Sequence, residues 1–469
     1  MEWLKNINGA VNNVVWGVPM LILLLGSGVF LSVRTGYLQF SKFGYAIKNT
    51  LGKLFVKQKA GSGSMTPAQA LTTALAATVG TGNIAGITAA ITLGGAGAIF
   101  WLWVSALIGM CTKYAEVLLA VKFRERNIQD DLVGGPMYYI TNGLGSNWKW
   151  LANIFCIFGA LAAFGIGNAT QVSAITSSVI SAIDTFYPAV ALTAGEINFI
   201  VGVVIAAIVG LVIIGGVKRL GSVTEKLVPF MSIIYIAGCL AVIIANFSSI
   251  GGAFSDIFKG AFMPSAALGG AAGITVKSTI TWGLKRGVFS NEAGLGSAPI
   301  AHATTSETDP VKQGLYGIFE VFVDTIVICT LTGLALLMSG IDIRYGVQGT
   351  TVLNTQAFAT VFGDKLGSLI IAVGITLFAI ATIVSWSLYG ARCAEYLLGP
   401  KSIRIYQIVF ILVTIVGATM DISLVWDISD TLNGLMAIPN LIALLGLSGV
   451  VVKLTKEHFR RKNGGLGGR

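Results

Sequence analysis

Apolar stretches of about 20 residues, long enough to cross a bilayer as a helix, recur along this chain of 469 residues. A lipid interior offers no water to backbone N–H and C=O groups, so such stretches must pair those groups within themselves as helices. Eleven spans are predicted, at about 14–33, 66–91, 97–121, 150–182, 197–216, 227–246, 267–284, 314–339, 366–390, 405–420 and 431–452. Charged residues make up 11% of the chain, against about 25% in soluble domains. The fold class is therefore an all-α polytopic membrane protein. The first span lacks a small-residue cleavage site and follows Glu2, which predicts a retained span and not a signal peptide. After it, Phe40, Phe43, Ile47, Leu51 and Leu54 recur at spacings of three and four among Lys42, Lys48, Lys53 and Lys57. That pattern predicts an amphipathic helix lying on the membrane surface.

The net charge of +10 comes from residues between the spans, which argues for basic loops on one side of a membrane and against a nucleic-acid partner. With alternate loops assigned to the cytoplasm, 25 of the 31 basic residues are cytoplasmic, four are outside and two, Lys113 and Lys277, lie within spans. This asymmetry predicts an external N-terminus and a cytoplasmic C-terminus. The five cysteines, Cys111, Cys156, Cys239, Cys329 and Cys393, are scattered through apolar segments and form neither a disulfide framework nor a metal spacing.

Behind the first span, ten spans divide into two groups of five. Each group opens with a helix interrupted by glycine: "TVGTGN" at 78–83 and "LGGAAGIT" at 268–275. Five is odd, so the second group must be inverted relative to the first. Paired Gly-broken segments in inverted halves point to a transporter's binding site. The predicted organisation is an N-terminal span with the amphipathic helix at 1–64, a first inverted repeat at 65–250, a second at 251–455, and a basic cytoplasmic tail at 456–469. A break at mid-membrane frees backbone groups that must face protein or a water-filled cavity. There a half-helix N-terminus attracts a carboxylate, while freed carbonyls and hydroxyls ligate a small cation. Thr78, Thr81 and Asn83 supply neutral oxygens of the kind that replaces Na⁺ hydration. Glycines at Gly80, Gly82, Gly270 and Gly273 let a substrate approach the two backbones.

The motifs "GGAGAIFWLWVSALIG" (94–109), "GGPMYYI" (134–140) and "GVFSNEAGLGSAPIAHA" (287–303) resemble the alanine/glycine:cation symporter family over nearly the whole chain. Leu102 stands where that family's "FWMW" has methionine, a volume-conserving change. The resemblance implies a leucine-transporter-type (LeuT-type) fold with a 5+5 inverted repeat and two discontinuous helices, and Na⁺-coupled uptake of small neutral amino acids such as alanine and glycine. "TVGTGN" is similar to the unwound first core helix of that superfamily. By this likeness Thr78 and Gly82 border substrate, with Gly80 exposing backbone beside them. Ala76 and Val79 give carbonyls to Na⁺, and Asn83 matches a ligand of a second Na⁺. The remaining Na⁺ ligands fall on Thr382 and Ser385 of "FAIATIVSWSLYG", three apart on one helical face. Gln171, sharing a face with Asn168 on the third core helix, is the candidate side-chain contact to substrate.

Glu320 and Asp324, four apart in an apolar span, need partners. One option is a structural pair with Lys113 or Lys277, and the other is a carboxylate that couples a proton or a second cation. Glu116 is expected in a cytoplasmic ion pair with Arg124 or Arg126. His302 and His458 have no third ligand nearby, so no transition metal is expected. Ser297 lacks a nucleophile-elbow context and the glycine motifs lack a Walker lysine, which argues against an enzyme. The reading is a secondary transporter of a prokaryotic plasma membrane that works as a monomer and needs no cofactor beyond Na⁺ as coupling ion. The alternatives are a proton-coupled transporter of another small amino acid or amine, and a channel.

Overall fold

The computed structural model of the protein describes residues 2–54, 60–61, 63–187, 189, 192–263, 274–420 and 422–463. Among these, nine helical stretches are long and apolar enough to cross a membrane, and a bent helix pair adds a tenth. Helices α1 (Glu2–Val15) and α2 (Val18–Arg34) form one such stretch, and α3 (Phe43–Leu54) follows. Helix α4 (Pro67–Thr78) starts at a capping box. Thr66 Oγ1 accepts from the Gln69 N–H and Gln69 Oε1 accepts from the Thr66 N–H, both at 3.1 Å. Pro67 takes the first helical position, where a missing N–H costs nothing.

The chain then turns through Thr81–Asn83 into α5 (Ala85–Gly94), bent 54° from α4. Helix α6 (Ala98–Lys122) leads to a small antiparallel hairpin, β1 (Glu125–Arg126) with β2 (Leu132–Val133). Helices α7 (Lys149–Phe164) and α8 (Thr170–Phe186) are continuous through a wide turn at Gly165–Ala169. There follow α9 (Ala194–Ile213), α10 (Gly216–Ala245), α11 (Ile250–Phe262), α12 (Val276–Asn291) and the short α13 (Ala298–His302). Helix α14 (Pro310–Val321) passes through a second wide turn, Phe322–Cys329, into α15 (Thr330–Met338). The long α16 (Thr351–Leu398) bends at Gly363, whose φ is +75°. Last come α17 (Ser402–Thr419), α18 (Ile422–Gly446) and α19 (Ser448–Asn463).

The helices pack as a bundle in which α6 lies against α12 and α14, and α16 lies against α4, α7, α8 and α10. Close approach depends on small residues. A Cβ on Gly97 would sit 2.1 Å from the Gly260 carbonyl carbon, so the start of α6 meets α11 backbone to backbone.

The expected span at 267–284 lies partly outside the described residues, and Gly270 and Gly273 lie wholly outside them. Its described part, α12, has 16 residues and continues to Asn291, past the predicted end. Lys285 and Arg286, assigned from sequence to a cytoplasmic loop, are therefore inside a helix. Lys277, expected within a span, is exposed in the first turn of α12.

Candidate functional site

The break between α4 and α5 changes which groups satisfy one another. In a continuous helix the Ala76 carbonyl would accept from the Gly80 N–H. Here the Gly80 N–H bonds Asn83 Oδ1 at 2.8 Å, and the Ala76 carbonyl is released. Helix α16 meets it: Thr382 Oγ1 donates to the Ala76 carbonyl at 3.0 Å and to the Phe378 carbonyl at 3.1 Å. One turn on, Ser385 Oγ donates to the Thr73 carbonyl at 2.7 Å. Val79 leaves the helical region at ψ 86°, which turns its carbonyl off the helix axis. Of the expected cation group, Thr382 thus meets Ala76 directly, Ser385 meets the same helix at Thr73, and all four, Val79 included, are buried.

Beside it is a small cavity with room of about 20 Å³, enough for one water. Four of the expected substrate residues line it: Thr78, Gly80, Gly82 and Gln171. Thr78 Oγ1 bonds back to the Ala74 and Leu75 carbonyls, both at 3.4 Å. Gln171 Oε1 accepts from Thr81 Oγ1 at 2.9 Å, and its Nε2 donates to the Ile166 carbonyl at 3.0 Å. Its neighbour Asn168 points elsewhere, donating to the Phe410 carbonyl of α17 at 2.7 Å.

Wall residues that were not anticipated include Phe289, Ser290, Glu292 and Trp386. Glu292 caps α12 in the left-handed conformation, φ 54°, an uncommon place for a side chain that is not glycine. Its carboxylate accepts from Trp386 Nε1 at 3.1 Å and from Ser297 Oγ. Phe289 stacks on Trp426 of α18, with ring centres 6.4 Å apart. Further along α12, Lys285 pairs with Asp430 of α18 at 2.6 Å.

Glu320 and Asp324 have separate partners. Asp324 faces the break: its Oδ1 accepts from Asn83 Nδ2 at 2.7 Å, and its Oδ2 from Ser290 Oγ at 2.9 Å and Thr325 Oγ1 at 2.6 Å. The Asn83 amide is thereby oriented, since its oxygen must meet the Gly80 N–H and its nitrogen the carboxylate. Both ends of Asn83 are engaged. Glu320 is instead fully buried, with Lys113 Nζ 3.3 Å from one oxygen and His302 Nε2 3.0 Å from the other. This geometry matches the structural-pair option for Glu320.

Glu116 is a correction. It is fully buried and accepts from the Gly294 and Gly296 N–H groups, both at 3.1 Å, and from Asn440 Nδ2 at 2.5 Å. Arg124 binds the Ala303, Thr305 and Glu307 carbonyls instead, and Arg126 pairs with Asp130.

The sodium:alanine symporter family model matches residues 1–467. The sodium/alanine symporter AgcS of Methanococcus maripaludis is 46% identical, over 99% of this chain and 99% of that protein. The probable sodium/glutamine symporter GlnT of Bacillus subtilis is 34% identical, over 98% of this chain and 92% of its own length. Among solved structures, that of MhsT in complex with L-phenylalanine superposes with a TM-score of 0.57 at 13% identity, covering 84% of this chain and all of that one. That likeness is one of fold: a LeuT-type helical bundle.

Proposed function

Because the chain belongs to the sodium:alanine symporter family, we propose that it imports small neutral amino acids, alanine and glycine, coupled to Na⁺. The observation that carries this reading is the meeting of Thr382 and Ser385 with the released end of α4, beside a cavity edged by Gly80 and Gly82. Na⁺ is the co-transported substrate. The Ala76 and Val79 carbonyls and the two hydroxyls form its ligand group, at the negative end of the α4 dipole. The substrate carboxylate lies at the N-terminal end of the turn leading into α5, and Glu292 supplies the negative charge for its ammonium. A cavity with room for one water admits no amino acid as it stands, so substrate entry requires its lining to move.

The two halves, 65–250 and 251–455, act as inverted repeats, with α4–α5 and the segment through α12 as their discontinuous helices. The topology is eleven spans in a prokaryotic plasma membrane, with N-terminus outside and C-terminus, including the basic tail 456–469, in the cytoplasm. A single chain is the transporting unit. Alternating access comes from rocking of one bundle about the fixed site.

Uptake by proteoliposomes tests the coupling. Labelled alanine should accumulate above equilibrium only under an inward Na⁺ gradient. A channel would merely equilibrate it, and accumulation driven by a proton gradient without Na⁺ would make Asp324 or Glu292 the coupling group. In the same assay Thr382→Ala should raise the Na⁺ concentration for half-maximal uptake on the order of tenfold, about the loss of one well-made ligand contact. An unchanged Na⁺ dependence would remove Thr382 from the cation group.

Sidedness is checked separately. In intact cells a membrane-impermeant maleimide should label Tyr187→Cys and Asp427→Cys, and should leave Lys456→Cys unlabelled until the membrane is opened. External labelling of Lys456→Cys would break the eleven-span topology.

A further inference from the structure

At the end of the bundle where α9 turns into α10, the last turns of α16 and the start of α17 close around a cleft of about 550 Å³. One wall is apolar, with Ile214, Val217 and Leu388. The other carries Arg392, Lys401 and Arg404. Arg392 is only 5% exposed. Its terminal nitrogens are engaged, with Asp131 Oδ2 at 2.8 Å and Glu395 Oε2 at 2.6 Å. Its Nε is buried in the wall with no hydrogen-bond partner. Asp131 also lines the cleft, and Arg392 divides its single charge between Asp131 and Glu395, a net of one negative charge that Lys401 and Arg404 outweigh. Lys401 and Arg404 are exposed and form no ion pair among the described residues, so the cleft is positive.

Arg404, at the edge of the cleft, borders an apolar stripe on α17. Along α17, Ile405, Ile408 and Leu412 are 67%, 60% and 55% exposed and recur at spacings of three and four, so they share one face. On the topology proposed above, that face leads from Arg404 into the membrane. A cationic pocket with an unpaired buried donor, continued by an apolar track one helix long, has the polarity profile of a two-part ligand. Basic pockets between spans at the cytoplasmic side suit anionic headgroups.

We propose that this cleft binds one anionic phospholipid, its phosphate held by Lys401, Arg404 and the Arg392 Nε–H and an acyl chain laid along the α17 track. The assignment to the cytoplasmic leaflet rests on the topology proposed above. The binding itself does not, and it is independent of what the protein transports.

The test uses the full-length protein, delipidated in a neutral detergent and titrated with phosphatidylglycerol or phosphatidylcholine while bound lipid is counted by native mass spectrometry. Phosphatidylglycerol should bind at least fivefold more tightly than phosphatidylcholine. Lys401→Gln with Arg404→Gln should weaken phosphatidylglycerol on the order of tenfold, and Ile214→Glu, which puts a negative charge at the mouth, should do the same. Lys453→Gln with Lys456→Gln, an equal loss of charge on exposed positions of α19, should change binding less than twofold. Equal weakening by both double variants would overturn the site in favour of diffuse attraction, as would equal binding of the two lipids. Displacement of the lipid by millimolar inorganic phosphate would also overturn it, by making the cleft a site for a free anion.

Discussion

Gly80→Ala is expected to reduce Na⁺-coupled uptake on the order of 10- to 100-fold, while Gly82→Ala, two residues away, leaves a working but more selective transporter. The difference is steric. A Cβ on Gly80 would stand 2.5 Å from Thr382 Oγ1. That oxygen is on a short, β-branched side chain and is held by two carbonyls, so it can retreat only by giving up the contacts that join α16 to the broken end of α4. Overpacking of this kind costs about 1–3 kcal/mol, and here the strain falls on the cation group itself. A Cβ on Gly82 would meet only the edge of the Phe289 ring, at 3.7 Å, an ordinary contact. It fits, and it takes space from the cavity. Alanine should then lose more affinity than glycine, because the added methyl competes with the ligand's own.

The clash at Gly80 makes a further demand. With Thr382→Ala in place, the next nearest atom to the new methyl is the residue 382 Cβ at 3.6 Å. The double variant Gly80→Ala/Thr382→Ala should therefore recover thermal stability relative to Gly80→Ala alone, while keeping the weak Na⁺ response of Thr382→Ala. Isothermal titration of alanine and glycine at fixed Na⁺, on monodisperse protein, reads all four variants. Equal losses of both ligands in Gly82→Ala would take Gly82 out of the pocket wall, and additivity of the two changes at Gly80 and Thr382 would deny their contact.

The break itself was legible because "TVGTGN" violates what lipid favours, and the violation is local. Thr382 and Ser385 were named through the family resemblance, to which their spacing adds only that two hydroxyls three apart share a helix face. What stayed hidden depended on packing between distant segments. Glu116 lies eight residues from Arg124, about 12 Å along a helix, and that nearness suggested a pair. The structure turns Glu116 instead toward two backbone N–H groups offered by the chain at Gly294 and Gly296, with φ +92° and +84°. Glu292 escaped notice because "NEAGLGS" has the composition of a loop, where an acid needs no partner. Only the fold brings Trp386 and Ser297 to it and makes it a wall of the cavity. Glu320 and Asp324 share a helix face by spacing. Yet the wide turn beginning at Phe322 separates their surroundings, one facing Lys113 and the other the break.

That separation gives the largest expected effect on stability. Lys113 and Glu320 are both fully buried, and removing one partner of such a pair strands the other charge, at about 3–5 kcal/mol. Lys113→Met should accordingly lower the unfolding midpoint on the order of 10 °C. Glu320 would keep one donor. Gln313 Nε2 lies 2.9 Å from His302 Nδ1 and Gln313 Oε1 accepts from Thr305 Oγ1 at 3.1 Å, so His302 Nδ1 is an acceptor. The neutral ring then carries its proton on Nε2, directed at Glu320. One neutral donor does not replace a cation, which is why the loss remains large. Lys113→Met/Glu320→Met removes both charges of the pair and should be more stable than Lys113→Met alone, although it also withdraws the Lys113 charge from the buried Glu116 and Glu292. The same pair of variants separates scaffold from coupling. If Glu320 only holds α14 to α6, the double variant should transport with an unaltered Na⁺ dependence and an unaltered pH profile wherever it is folded. A Glu320→Gln protein that folds normally but has lost the dependence of uptake on Na⁺ or on pH would instead place this carboxylate in the transport cycle.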